Sequence, residues 1–357
     1  MNTVTAPASR KIRVLVVDDS PLLRRLITEL LEADPAIEVV GTAADPFIAR
    51  DKIKQLSPDV LTLDIEMPRM DGITFLRNLM RLRPMPVVMV STLTQAGAQA
   101  TLDALAAGAV DFVPKPCAHP TNGLGEYGVM LVEKVKAAAT AQVAALSDAP
   151  APAAPAPAAA TYRNERRVIA IGASTGGTEA IRMVLETFPA DAPPTVIVQH
   201  IPATFSGAFA QRLDRSTRLT VHEAQDGDAL QIGHAYVAPG GRHLRIERHG
   251  RGWRCRIGDD LPVRLHRPSV DVMFDSLVES AKGMVSAALL TGMGDDGARG
   301  LCALRKIGAP TFAQDQASSV VWGMPGAAVA LGGAGEVLPL GRVGTALLSS
   351  TLEPVAA

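Results

Sequence analysis

Five residues near the start of the sequence share one chemistry. They are Asp18, Asp19, Asp64, Ser91 and Lys115. Four of the runs Ile12–Val17, Ile37–Gly41, Val60–Leu63, Val87–Val90 and Val110–Val113 end at or lead into one of them. Short β-branched runs of this kind read as strands, and alternation with amphipathic stretches reads as a doubly wound parallel sheet. In such sheets ligands bind beyond the C-terminal ends of the strands. Three carboxylates at one edge repel each other. A hard divalent cation offsets that repulsion, and Mg²⁺ favours carboxylate and water oxygens. Asp64 can then attack a phosphorus atom, while Ser91 and Lys115 hold the phosphoryl oxygens.

A second set of residues suits acyl transfer. Gly172-Ala173-Ser174-Thr175-Gly176 follows the run Arg167–Ile171, and a helical pattern begins at about Thr178. This is Gly-x-Ser-x-Gly between a strand and a helix, the setting of a nucleophile elbow. The helix N-terminus offers unpaired N–H groups to a developing oxyanion. A hydroxyl needs a base. Thr195–Val198 leads into Gln199-His200-Ile201-Pro202, one strand–helix–strand unit later, so adjacent parallel strands place Ser174 and His200 at the same edge. A carboxylate should orient that histidine. Leu289 to Gly297 again reads strand, glycine turn, helix, and it offers Asp295 and Asp296; either can also cap the following helix. The order Ser, His, Asp differs from the Ser, Asp/Glu, His order of α/β-hydrolases. Dinucleotide binding fits poorly. The glycines depart from Gly-x-Gly-x-x-Gly, and the second strand ends without an acidic residue for a ribose.

These two sets sit in separate parts of the chain. With 357 residues, about two domains are expected. Ala137 to Thr161 is mostly alanine, with Pro150, Pro152, Pro155 and Pro157 in its second half. Ala137 to Leu146 can extend a preceding helix, whereas the Ala-Pro stretch reads as a semi-extended spacer. The predicted division is residues 10–136, a linker at 137–162, and residues 163–352. Ala235–Ala238, Leu244–Ile246 and Trp253–Ile257 lie close together between Gly-rich turns. They are expected to form antiparallel strands inserted into the second α/β domain. Val285–Leu290 resumes the βα pattern.

Composition limits the classes. The chain is 47% hydrophobic and 20% charged, so it can bury a core. Lys and Arg number 35 against 36 Asp and Glu, which argues against nucleic acid as partner. Three cysteines, far apart, do not suggest a disulfide framework or a thiolate metal site. No apolar run is long enough to span a membrane, and no secretory signal stands at the start. A cytoplasmic protein is expected.

Residues 12–136 resemble two-component receiver domains. The resemblance is carried by Val16-Val17-Asp18-Asp19-Ser20, Asp64-Ile65-Glu66-Met67-Pro68 with Met70-Asp71-Gly72, Ser91, and Lys115-Pro116. It implies that Asp64 accepts phosphate from a sensor histidine kinase, and that Asp18 and Asp19 help bind Mg²⁺ with a backbone carbonyl of Glu66. It further implies that Phe112 is a switch aromatic and that the Lys115–Pro116 bond is cis. Residues 167–351 resemble the catalytic domain of chemotaxis protein-glutamate methylesterases, the CheB family. That resemblance rests on Ile171 to Gly177, Gln199 to Pro202, Ala238-Pro239-Gly240-Gly241-Arg242-His243, Arg267-Pro268-Ser269-Val270-Asp271, Leu290 to Gly297, and Trp322-Gly323-Met324-Pro325-Gly326. It implies a serine hydrolase with nucleophile Ser174, base His200 and orienting carboxylate Asp296. Backbone N–H groups near Thr175 and Met293 would form the oxyanion hole. The family usually has asparagine where this chain has Asp295. The implied substrates are methyl-esterified glutamates of chemoreceptors, with receptor glutamines as a second substrate, and the esterase reaction needs no cofactor. The unphosphorylated receiver is expected to hinder substrate access.

Overall fold

The computed structural model describes residues 10–116, 123–143 and 167–352. The greater part of the expected linker lies outside them. Two compact units are present.

The N-terminal part of the chain runs β1 (Ile12–Val17), α1 (Pro21–Glu32), β2 (Ile37–Ala43), α2 (Pro46–Leu56), β3 (Val60–Asp64), α3 (Gly72–Leu82), β4 (Val87–Ser91), α4 (Gln95–Ala106), β5 (Asp111–Pro114) and α5 (Leu124–Ala139). All strands are parallel, in the order β2-β1-β3-β4-β5. The order reverses between β1 and β3, which opens a crevice beyond their C-terminal ends. Helix starts are encoded locally. Ser20, Asp45 and Asp71 each accept a backbone N–H from the first turn, and Pro21 and Pro46 occupy the first helical position of α1 and α2. The alanine-rich extension is shorter than expected, since α5 stops at Ala139. The Thr140 hydroxyl and amide both turn back to the carbonyl of Ala137, at 2.9 and 3.1 Å, and close the helix. The only cis peptide among the described residues is Arg267–Pro268, so Lys115–Pro116 is trans, contrary to the expectation. The Lys115 amide here donates to the Ser91 carbonyl at 2.6 Å, continuing the β4–β5 ladder.

The second unit runs β6 (Val168–Ala173), α6 (Gly177–Glu186), β7 (Thr195–Gln199), α7 (Ala203–Ser216), β8 (Thr220–Glu223), β9 (His234–Val237), β10 (His243–His249), β11 (Gly252–Gly258), α8 (Val270–Ala281), β12 (Val285–Leu289), α9 (Ala298–Lys306), β13 (Thr311–Gln314), α10 (Met324–Ala330), β14 (Glu336–Leu338) and α11 (Leu340–Thr351). Seven parallel strands follow the order β14-β13-β12-β6-β7-β9-β8. The chain winds one way from β6 and returns to its other side at β12. Ser174 therefore leaves the sheet at the reversal of strand order.

The expectation of three inserted antiparallel strands holds for two. β10 and β11 pair as an antiparallel hairpin, with His243 opposite Gly258 and His249 opposite Gly252. β9 instead lies parallel to β7 and β8 in the main sheet. Parallel neighbours need a crossover, normally a helix. Here the segment between β8 and β9 crosses without a helix, through two turns, and hydrogen-bonds to the hairpin. Gly227 donates to Cys255 and Leu230 to Trp253, each at 2.9 Å. Leu244, Ile246, Trp253 and Cys255 of the hairpin join Met273, Phe274 and Leu277 of α8 in one buried core with β6, β7 and β12. Each large side chain buried there contributes roughly 1.5–3 kcal/mol. That packing fixes where the N-terminus of α8 points.

Candidate functional site

Beyond β1 and β3 the carboxylates of Asp18, Asp19 and Asp64 place one oxygen each within 4.8 Å of one another. Asp18 and Asp64 are fully buried, whereas Asp19 is exposed. Asp18 Oδ1 accepts the Ser20 amide at 2.8 Å, but Oδ2 is buried without a partner among the described residues. A buried carboxylate oxygen left in that state calls for a cation. The donor set is therefore one that Mg²⁺ fits. Lys115 Nζ lies 2.8 Å from an Asp64 oxygen, and the Glu66 amide donates to Asp64 Oδ1 at 3.2 Å. Burial pushes the Asp64 carboxyl up to about 6, with the Asp18 charge adding and Lys115 opposing. Burial raises Asp18 too. For Lys115 burial pulls down, but the hydrogen bond and charge of Asp64 win and raise it. Ser91 is buried at the end of β4. Phe112 is buried on β5, with Lys134 Nζ 5.3 Å above its ring. The Glu66 side chain points to solvent.

In the second unit Ala173 pairs with Gln199 across β6 and β7. Ser174 and His200 are the next residue on each strand, so they leave the sheet side by side. The His200 amide donates to the Ala173 carbonyl at 3.1 Å, and Gln199 Nε2 donates to the Ser174 carbonyl at 2.8 Å. Ser174 is half-buried, and its hydroxyl has no hydrogen-bond partner among the described residues. His200 Nε2 lies 2.8 Å from Asp296 Oδ2. With an ionised carboxylate as acceptor, Nε2 carries the proton. Nδ1 is then a bare lone pair, buried and unpartnered among the described residues.

Of the two candidate carboxylates, Asp296 faces His200. Asp295 pairs with the Arg264 guanidinium instead. Neither caps α9, whose N-cap is Gly297 with a positive φ. Asp296 is buried, and burial alone would raise it. Its hydrogen bonds to His200, Val270 and Ser269 hold it well below the usual carboxylate range. The donors besides His200 come from the start of α8: Ser269 Oγ at 2.8 Å, the Val270 amide at 2.7 Å and the Asp271 amide at 3.1 Å. A helix N-terminus holds the anion. Val270 is located in turn by two close approaches. A Cβ added at Gly172 or Gly297 would lie 2.3 or 2.5 Å from Val270 Cγ1. The Met293 amide, near the Ser174 turn, finds no acceptor among the described residues. The Thr175 carbonyl accepts the Thr291 hydroxyl at 3.0 Å, tying the turns after β6 and β12 together.

Sequence reasoning gave no role to Ser269, Val270 or His266. The first two belong to the segment Arg267–Asp271 that carries the family resemblance, which was the only signal available. His266 stacks face to face on His200, with ring centroids 3.8 Å apart and planes 13° from parallel. His243, which is fully buried, accepts the Ser269 amide at 3.3 Å and sits 3.1 Å from the Leu261 carbonyl; burial lowers it.

Comparison with known proteins gives two family matches: residues 14–121 to the response regulator receiver domain, and residues 169–347 to CheB methylesterase. A protein-glutamate methylesterase/protein-glutamine glutaminase 1 of Xanthomonas campestris pv. campestris is 58% identical over 346 residues, covering 95% of this chain and 97% of its own length. A protein of the same name from Hahella chejuensis is 51% identical, with 95% and 96% covered. Among solved structures, the CheB methylesterase catalytic domain of Thermotoga maritima is 34% identical with a TM-score of 0.50, over 51% of this chain and 97% of that one. No helix among the described residues is long and apolar enough to cross a membrane.

Proposed function

The chain belongs to the protein-glutamate methylesterase/protein-glutamine glutaminase family, and from that premise we propose how its residues divide the work. It is an ester hydrolase joined to a response-regulator receiver. The substrates are glutamate methyl esters on chemoreceptors, and receptor glutamines as a second substrate. Residues 10–136 are the receiver, residues 137–162 a spacer and residues 163–352 the catalytic part.

Ser174 Oγ attacks the ester carbonyl. Its proton passes to His200 Nδ1, because Nε2–H is committed to Asp296. Asp296 stays ionised and balances the imidazolium. The Met293 amide, with Thr175, faces the oxyanion. Collapse of the tetrahedral intermediate breaks the C–O bond, and Nδ1 returns its proton to the departing methanol. Water, deprotonated by the same nitrogen, then hydrolyses the acyl-serine and leaves a glutamate carboxylate. A glutamine side chain taken through the same steps gives ammonia. The supporting observation is the 2.8 Å His200–Asp296 pair, on the strand next to Ser174 and level with it in register. Ser174→Ala is expected to lower methanol release from methylated receptor membranes by about 10⁴-fold or more. Turnover within tenfold of the parent chain would reject this assignment.

In the receiver, Asp64 takes the phosphoryl group from a sensor histidine kinase. Asp18, Asp19, Asp64 and the Glu66 carbonyl are the residues that would hold Mg²⁺, which when bound neutralises charge on the carboxylates and the phosphoryl oxygens. Ser91 and Lys115 hold the phosphoryl oxygens, and Phe112 reports the change. Phosphorylation relieves inhibition of the esterase. Methanol release should rise when a small-molecule phosphodonor and Mg²⁺ are added to the full chain. An unchanged rate would remove the regulatory part of this reading and leave the chemistry intact.

A further inference from the structure

We propose that His266 is a positioning residue for the esterase reaction, holding the His200 ring by stacking so that its two nitrogens stay aimed at different partners. The inference deepens the reading above and relies on it for one of its two measurements.

His266 closes a tight turn and lies at its end. Val263 and His266 exchange backbone hydrogen bonds at 3.0 and 2.9 Å, which closes a two-residue turn. Its central residues, Arg264 and Leu265, have φ of 51° and 68°. Turns with positive φ at both positions favour Gly, Asn or Asp. Here both residues carry long side chains, so the turn is strained. Burial does not compensate, because Leu265 is 83% exposed. Arg264 is fastened to Asp295, the residue directly before Asp296. The turn is thus pinned to the loop that supplies the carboxylate, and its last residue lies flat against His200. Strain held by surrounding contacts is characteristic of functional sites.

The chemistry explains why a flat face is useful there. His200 must keep Nε2–H on Asp296 while Nδ1 takes and returns a proton. Rotation about its Cβ–Cγ bond would put ring carbons where the two nitrogens stand and break both contacts. Asp296 restrains one ring nitrogen only. An aromatic face 3.8 Å away restrains the whole plane.

The test uses the full chain with His266→Ala and His266→Phe. In the methanol-release assay His266→Ala should lower kcat about tenfold with KM within about twofold. His266→Phe keeps a flat face and should return kcat to within about twofold of the parent. Nitrogen-15 NMR of the imidazoles should show one His200 tautomer in the parent and in His266→Phe, and exchange between two in His266→Ala. Equal kcat in all three chains, or His266→Phe as slow as His266→Ala, overturns the proposal. So do unchanged His200 signals in His266→Ala, even if its melting temperature falls. A parent chain that releases no methanol would instead overturn the esterase reading, and the NMR comparison would still decide the role of His266.

Discussion

Asp64 and Asp296 are both fully buried carboxylates at the C-terminal edge of a parallel sheet, yet their acidities move in opposite directions. Asp64 has one amide and one ammonium as donors. It also shares its crevice with Asp18. Asp296 has a hydroxyl, two amides and an imidazole, and the start of a helix supplies three of these. Burial is common to both, so burial does not set their chemistry. The donors do. A carboxylate given more donors than it needs is a permanent anion, fit to stabilise a neighbouring positive charge. One given too few is an anion in want of a cation, fit to receive a metal ion and then a phosphoryl group.

The sharpest way to break this contrast is to remove each charge. Asp296→Asn keeps the shape but denies His200 its acceptor, and methanol release should fall about 10⁴-fold. Asp64→Asn should leave the basal rate within about twofold while abolishing any response to phosphodonor. If the two variants behave alike, the roles assigned here are wrong. A smaller effect should follow from thinning the donors around Asp296. Ser269→Ala removes a hydrogen bond to the carboxylate and also the cap of α8, since Ser269 accepts the Val272 amide. It should cost about 1–3 kcal/mol in denaturant unfolding and lower kcat severalfold. No change in either would mean that the other donors suffice. The smallest effect concerns pH. A carboxyl with its proton cannot ligate, and Asp64 titrates at about 6. Mg²⁺ affinity, measured by titration calorimetry, should therefore weaken about fourfold between pH 7.5 and pH 5.5. By linkage, the upward shift of Asp64 means that burying it costs stability at neutral pH. That cost disappears as pH falls below the unfolded value near 4, so the metal-free receiver should gain stability on mild acidification. A pH-independent affinity would show that the ion, not the crevice, dominates Asp64.

Much of this was legible because it is local. Strand ends carrying Asp18, Asp64 and Ser91 are readable from apolar runs, and Gly-x-Ser-x-Gly is readable from five adjacent residues. Ser20, Asp45 and Asp71 mark helix starts within a turn of themselves. What escaped is set by tertiary contact. Nothing in His234–Val237 states its direction, which follows from a crossover resting on β11. Nothing in Ser269 or Val270 announces a bond to a carboxylate 26 or 27 positions later. Nothing in the sequence sets His266 apart from the other six histidines. Only the fold lays it on His200.

The two glycines that face Val270 couple distant parts of the triad. Gly172 lies on the strand that delivers the hydroxyl, and Gly297 follows the acid. One valine's width gauges the gap between them, and that valine's own amide holds the acid. A methyl group gained at either place would wedge nucleophile and acid apart together. A change at either glycine is therefore felt by both members of the triad at once, through a single side chain.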